Sequence, residues 1–336
     1  MPPEPALIGL LAARPVACNP APWRSALAAL AAAVLTLVAA TAQSWGEMLH
    51  QWWNIDTYNH LLLVPFITAW LVMLKVGELA KIAPRPFAPG LLLVLAALAL
   101  WWVGRASGIN LIAHAAAVGA LQAAVVSVLG LRVALLLALP LAFATFLVPF
   151  GDEIIPPLQS VTARIAIALT HWSGIEASIA GIHIHTPAGL FIVAEACAGV
   201  KFLIAMVTLG VLVCFTRFDS WSRRAAFMAA CIIVPILANG VRAWATIYVA
   251  QFIGAERATG FDHIVYGWLF FAIVVAALLG GAWRFFEREP EEYGWTADAL
   301  ARSVPLASAE QGRLAPAGAA LATIALAAIA ALGAML

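Results

Sequence analysis

Three side chains in this sequence could together carry out acyl transfer: Cys197, Arg242 and His263. Cys197 lies in VAEACAGVKFLIAMV (193–207), between Glu195 and Lys201, where a long apolar run begins. A thiolate is the reactive form of cysteine. A helix N-terminus favours it through partial positive charge and unpaired N–H groups. Lys201 stands one turn after Cys197 on the same helical face and could add to that effect, and Gly199 would let a substrate or a second backbone come close. Arg242 lies in ILANGVRAW, inside another apolar run, with Asn239 on its face and Gly240 between them. A guanidinium there costs roughly 2.5–3.5 kcal/mol on insertion scales, so it normally has a partner or a task. His263 opens a third run, FDHIVYGWLFF, followed at steps of four by Gly267 and Phe271. Its imidazole can titrate near neutral pH and move protons, and Gly267 would let a neighbouring helix pack close. A nucleophile, an acid or base and a cation for the oxyanion are what a cysteine acyl transferase needs.

Each residue alone has a simpler reading. Cys197 could be a packed thiol, Arg242 could pair with Glu195 or Glu256, and His263 could anchor a helix end at the headgroups. Their coincidence at one side and one depth favours a site. His60, in TYNHLLLVP, opens a further apolar run on the same side, where it could join the site or face the interface. Asp262 could cap the run after it. His183 and His185 share one face of a predicted hairpin, with no carboxylate at useful spacing, so an exposed strand face is expected rather than a metal site. Cys18, Cys214 and Cys231 read as fillers or as a terminal thiol. There is no zinc spacing, Walker loop or basic stripe, so no metal, no cofactor and no nucleic-acid partner is expected.

The elements that must position these residues are apolar helices. Of the 336 residues 64% are hydrophobic and 10% charged, where soluble proteins have about a quarter charged. Nine apolar blocks, near 25–43, 60–76, 88–104, 109–129, 132–150, 197–216, 225–250, 263–283 and 314–336, approach the roughly 20 residues of a membrane span. The expected fold is an all-α polytopic membrane protein of about eight to nine transmembrane helices, with a small extracytoplasmic amphipathic helix and β-hairpin. Residues 1–24 form a cytoplasmic segment with no cleaved leader, 25–285 the transmembrane core, 286–313 a cytoplasmic loop and 314–336 a C-terminal apolar helix. With the N-terminus inside, 13 of the 18 Lys and Arg fall on the inner side, as the positive-inside rule requires. Trp45, Trp52, Trp53, Trp101 and Trp102 then suit an outer aromatic belt.

The long outer segment, 151–196, holds two predicted elements. Leu158, Val161, Ile165, Leu169 and Trp172 recur at steps of three and four after Pro156–Pro157, marking a helix expected to lie flat on the membrane. GIHIHTPAGLFIV alternates and turns at Pro187–Gly189, marking the hairpin. Polar residues gather at one face of the membrane, and neither repeat halves nor paired broken helices are visible. A transporter, or an exopolysaccharide-assembly component without peptidase activity, is therefore the second reading.

EACAGVKFL, NGVRAW and ATGFDHIVYGWLFF, together with YNHLLLVP and VPFGDEIIPPLQSVTARIAIAL, resemble the exosortase/archaeosortase family, particularly the exosortase A type, over roughly 45–285. That resemblance implies a cysteine transpeptidase or endopeptidase in the bacterial inner membrane, with its site at the periplasmic face. Its substrates would be exported proteins bearing a PEP-CTERM sorting signal: a Pro-Glu-Pro motif, a span and a basic tail. Membrane lipids would be further partners, with an acyl acceptor of unknown identity, and an association with exopolysaccharide production is implied. The family's nucleophile, arginine and histidine fall on Cys197, Arg242 and His263. The serine that usually follows the cysteine is replaced here by Ala198, and some related chains continue into a soluble domain where this one has the apolar run 314–336.

Overall fold

The computed structural model describes residues 20–195, 198–255, 267–303, 306 and 314–333. In chain order the helices are α1 (Pro20–Ala40), α2 (Ala42–Asn54), a 3-10 turn (Asn59–Leu63) leading into α3 (Val64–Leu74), α4 (Val76–Leu79), α5 (Gly90–Ser107), α6 (Asn110–Leu129), α7 (Leu131–Leu136), α8 (Ala138–Phe143) and α9 (Ile155–Trp172). After a three-stranded sheet come α10 (Val200–Arg217), α11 (Trp221–Ile253), α12 (Gly267–Trp283), α13 (Ala297–Ala301) and α14 (Pro316–Gly333). Among the described residues, six helices are long and apolar enough to cross a membrane: α1, α5, α6, α10, α11 and α14. Two bent pairs raise the number to eight if each is one span: residues 42–54 with 59–74, and 138–147 with 152–172. The apolar α12 is shorter. The chain is an all-α polytopic membrane protein.

Side chains facing out are largely apolar, with Phe66, Leu92, Ile233 and Leu321 exposed. Helix contacts use small residues, as they do where lipid leaves no hydrophobic drive for association. Ala26 and Ala33 of α1 share a buried cluster with Ala319 and Ala320 of α14.

The region before the second predicted span is a helix. In α2, Ser44, Met48 and Trp52 recur every four residues and are buried. The indole of Trp52 donates to the Leu147 carbonyl at 2.9 Å, and that of Trp101 donates to the Ser44 hydroxyl at 3.0 Å. These two tryptophans are core anchors, whereas Trp53 and Trp102 are exposed as a belt would require. Glu47 of α2 accepts from Arg105 at 2.9 Å and lies 3.0 Å from His114. This explains how His114, only 2% exposed, is tolerated in α6.

The α9 helix forms where its Pro156–Pro157 start predicts. Its buried face is Leu158, Gln159, Thr162, Ala163, Ala166, Ile167 and Thr170. The apolar stripe divides, with Leu158 buried in the main apolar cluster, Ile165 and Leu169 part-buried, and Val161 and Trp172 exposed, the latter at 90%. The helix packs on α11, with Ile165 against Gly240, and forms a wall of the protein. The predicted hairpin is there with one more strand: β1 (Ser178–Ala180), β2 (His183–Thr186) and β3 (Gly189–Ile192) form an antiparallel sheet in the order β1-β2-β3. Ile184 points into the α9 cluster, while His183 and His185 are exposed on the other face.

The charged stretch after α12 closes the opposite end of the bundle. Tyr293 is buried and donates to the Leu71 carbonyl at 2.8 Å, with the Lys75 ammonium 4.5 Å from its ring. Arg288 donates to Asp219 and to the Phe215 carbonyl, both at 2.6 Å.

Candidate active site

Five separate elements meet at the end of the bundle that carries the sheet and enclose a chamber of about 520 Å³. Asp56 and Tyr58 come from the break between α2 and the 3-10 turn, Asp152 from the entry to α9, and Glu195 from the chain leaving β3. Val200 and Lys201 come from the first turn of α10, and Arg242 from α11. The Tyr58 hydroxyl donates to Asp152 at 2.6 Å and ties two walls together.

The wall holding Glu195 is fixed from α9. The buried Gln159 amide donates to the Val193 carbonyl at 2.8 Å, and the Ala198 N–H donates to the Glu195 carbonyl at 3.0 Å. Next, Gly199 turns the chain into α10 with φ 80°, in the left-handed region. A Cβ at that glycine would lie 2.7 Å from Cγ of Asn239. Asn239 is 3% exposed, and its amide donates to the Thr162 hydroxyl at 3.1 Å. Its role is therefore to join α9, α10 and α11 beneath the chamber. Ala198 is buried in the main apolar cluster.

Arg242 is held by packing. Its guanidinium carbon lies 5.6 Å from the centre of the Phe202 ring, which stacks on Phe271 at 4.8 Å. A Cβ at Gly267 would lie 3.1 Å from Nη1 of Arg242, so the bare glycine makes room for the cation. Lys201 approaches the same ring, with Nζ 5.3 Å from its centre. Among the described residues, Glu195 forms no ion pair with Arg242 or with Lys201.

His60 lies beside the chamber rather than in it. It lines a neighbouring apolar cleft of about 220 Å³ between α3, α10 and α12, and its Nε2 is buried without a hydrogen-bond partner. Asp56 and Lys201 border both spaces.

Of the residues singled out from sequence, Glu195, Lys201 and Arg242 line the chamber, while Asn239 and Gly267 support its walls. Cys197 and His263 lie outside the described residues, as do Glu256 and Asp262. Glu195, two positions before Cys197 in the sequence, and Val200, three after it, line the chamber. Asp56, Tyr58 and Asp152 were missed as site residues. Tyr58 and Asp152 lie in YNHLLLVP and VPFGDEIIPP, stretches that carry the family resemblance, and that was the available signal; Asp56 stands two positions before the first.

Fold and site define a multi-pass helical membrane protein with a mixed-charge chamber at one end of its bundle. The family model for transmembrane exosortases matches residues 52–280, more than half of the chain, and the protein belongs to that family. Every described chamber residue falls within the matched range. No match is found among curated proteins or among solved structures.

Proposed function

We propose that the protein is a cysteine-type transpeptidase or endopeptidase of the bacterial inner membrane. It cleaves PEP-CTERM-type C-terminal sorting signals of exported proteins and passes the acyl group to an acceptor through a Cys197 thioester. The observation that carries this reading is the position of Arg242: a guanidinium with no carboxylate partner among the described residues borders a chamber that is also lined by Glu195, two positions before Cys197 in the sequence. Exosortase membership supports it.

In this reading the Cys197 thiolate adds to the carbonyl carbon beside the signal. Arg242 stabilises the oxyanion. As the tetrahedral adduct collapses, the C–N bond breaks and His263 gives its proton to the leaving amine. His263 then takes a proton from the incoming acceptor, which attacks the thioester and returns the thiolate. The N-terminus lies inside, and the chamber opens on the periplasmic side.

The test is processing of a co-expressed PEP-CTERM protein in cells, followed by the mass shift of the substrate. Cys197→Ala should abolish it with the enzyme's membrane level unchanged. Undiminished processing by that variant would refute the mechanism.

A further inference from the structure

We propose that the end of the bundle opposite the chamber holds a binding site for the phosphate headgroup of an anionic phospholipid, in a pocket between α8, α10 and the segment that follows α12. The site is separate from the peptidase chemistry and stands without it.

The pocket has a volume of about 540 Å³ and two unlike walls. One is apolar and reaches the surface of the bundle. Ala138 and Ala142 stand one turn apart on α8 and are both exposed, and Phe215 of α10 lies deeper. The other wall is cationic: Arg224, from the start of α11, and Arg288 line it beside Tyr293 and Trp295. Trp295 is half-exposed, as suits an indole at a membrane surface. The buried Lys75 ammonium lies against these two aromatic residues, 4.5 Å from the Tyr293 ring and 3.3 Å from the Trp295 carbonyl.

The acids at this end are already engaged. Asp219 pairs with Arg288 at 2.6 Å, Glu289 with Arg217 at 2.8 Å, Glu287 with Arg223 at 3.1 Å and Glu78 with Lys81 at 2.5 Å. Among the described residues Arg224 and Lys75 form no ion pair. Arg224 lies instead against the rings of Phe215 and Trp221, at 4.9 and 4.8 Å, and gives its Nε–H to the Phe218 carbonyl at 2.9 Å. The Arg288 side chain is only 10% exposed, and its Nε is buried without a hydrogen-bond partner. Burial lowers the Arg288 pKa, Asp219 opposes that, and the Arg224 charge lowers it further, so the two guanidiniums already repel. A cation at the edge of the membrane normally finds a counter-ion. A phosphodiester suits this place because its oxygens match the planar fork of arginine and its charge offsets the repulsion. A free phosphate would leave the apolar wall unused. A lipid lays its acyl chains past Ala138 and Ala142 while its phosphate meets Arg224. Basic pockets between helices at the cytoplasmic face are where anionic headgroups bind, and this is the inner end in the orientation given above.

The test is native mass spectrometry of the full-length protein in detergent, titrated with phosphatidylglycerol and with phosphatidylcholine of the same acyl chains. Phosphatidylglycerol should bind about tenfold tighter, equivalent to about 1.4 kcal/mol. Arg224→Gln should cut that preference to about twofold, the scale of one cation at an anionic surface. Arg284→Gln removes an exposed cation at the same end but outside the pocket, and should leave the preference intact. Ala142→Phe narrows the apolar wall with every charge in place and should weaken phosphatidylglycerol binding, so the outcome does not hang on the arginine variant folding. Excess inorganic phosphate should not displace the lipid. Equal binding of the two lipids, a preference that survives Arg224→Gln, or an equal loss in Arg284→Gln overturns the proposal. So does undiminished binding in Ala142→Phe, and displacement by inorganic phosphate would assign the pocket to a soluble anion instead.

Discussion

The Arg242 guanidinium is confined by the Phe202 ring on one side and the bare Cα of Gly267 on another. Gly267→Ala should therefore push the cation a few tenths of an ångström from its place. Processing should fall with little change in thermal stability, and Gly267→Val should do more of both. Arg242→Gln should cost about 10²–10³ in rate, as loss of one oxyanion donor does. Arg242→Lys should recover only part, since an ammonium lacks the planar fork; single-turnover processing checks both. At Gly199 the same substitution has a different outcome. Gly199→Ala meets a positive φ and a side chain at 2.7 Å, so it should lower the melting temperature as well as activity. The residues legible in the sequence were those whose type clashed with their surroundings, such as Lys201 and Arg242 in apolar runs. Asp56, Tyr58 and Asp152 sit in connecting segments, where polar residues are ordinary. Their meeting across 94 positions, from Tyr58 to Asp152, has no local signal.

Helix content was readable because spans are written in composition, yet two elements show where composition stops. The stretch forming α2 is too short and polar to read as a span, and its signature is a period of four through Ser44, Met48 and Trp52. In α9 the apolar period predicted the helix but only part of its buried face, since Leu158 is buried while Val161 and Trp172 are exposed. Beside a bilayer the apolar stripe can face lipid while small and polar residues make the protein contact. A further contact joins elements at the far end of the bundle. The Glu287 carboxylate accepts from the N–H groups of Ser220 and Asp219, at 2.9 and 2.7 Å, where α11 starts, and pairs with Arg223 at 3.1 Å. The hydrogen bond from the Ser220 N–H leads in holding its carboxyl below the usual carboxylate range, aided by the Asp219 N–H and Arg223. A depressed folded-state pKa gives stability that is complete above the unfolded-state value and is lost as pH falls through the folded one. Between about pH 6 and pH 3, across the carboxylate range, the melting temperature of the wild type should fall more than that of Glu287→Gln. Parallel slopes in a thermal-melt series would remove Glu287 from that role.

Across the whole molecule, α1 and α14 form a layer outside the range matched by the exosortase model. Both helices bring alanines to one buried cluster, Ala26 and Ala33 with Ala319 and Ala320, so a larger side chain there overfills it. Ala33→Leu should lower stability by about 1–3 kcal/mol and leave Cys197 alkylation unchanged, a separation that melting and labelling on one preparation would show. The chamber ties together what the chain holds far apart, from Asp56 to Arg242, and the proposed chemistry requires Cys197 to act there as the nucleophile. The most direct measurement is intact-protein and peptide mass spectrometry on enzyme quenched in acid during turnover of a PEP-CTERM substrate. The account predicts a thioester-linked substrate fragment on Cys197, released by hydroxylamine and absent from Arg242→Gln at the same time point. Turnover with no adduct on Cys197, together with full activity in Cys197→Ala, would contradict it.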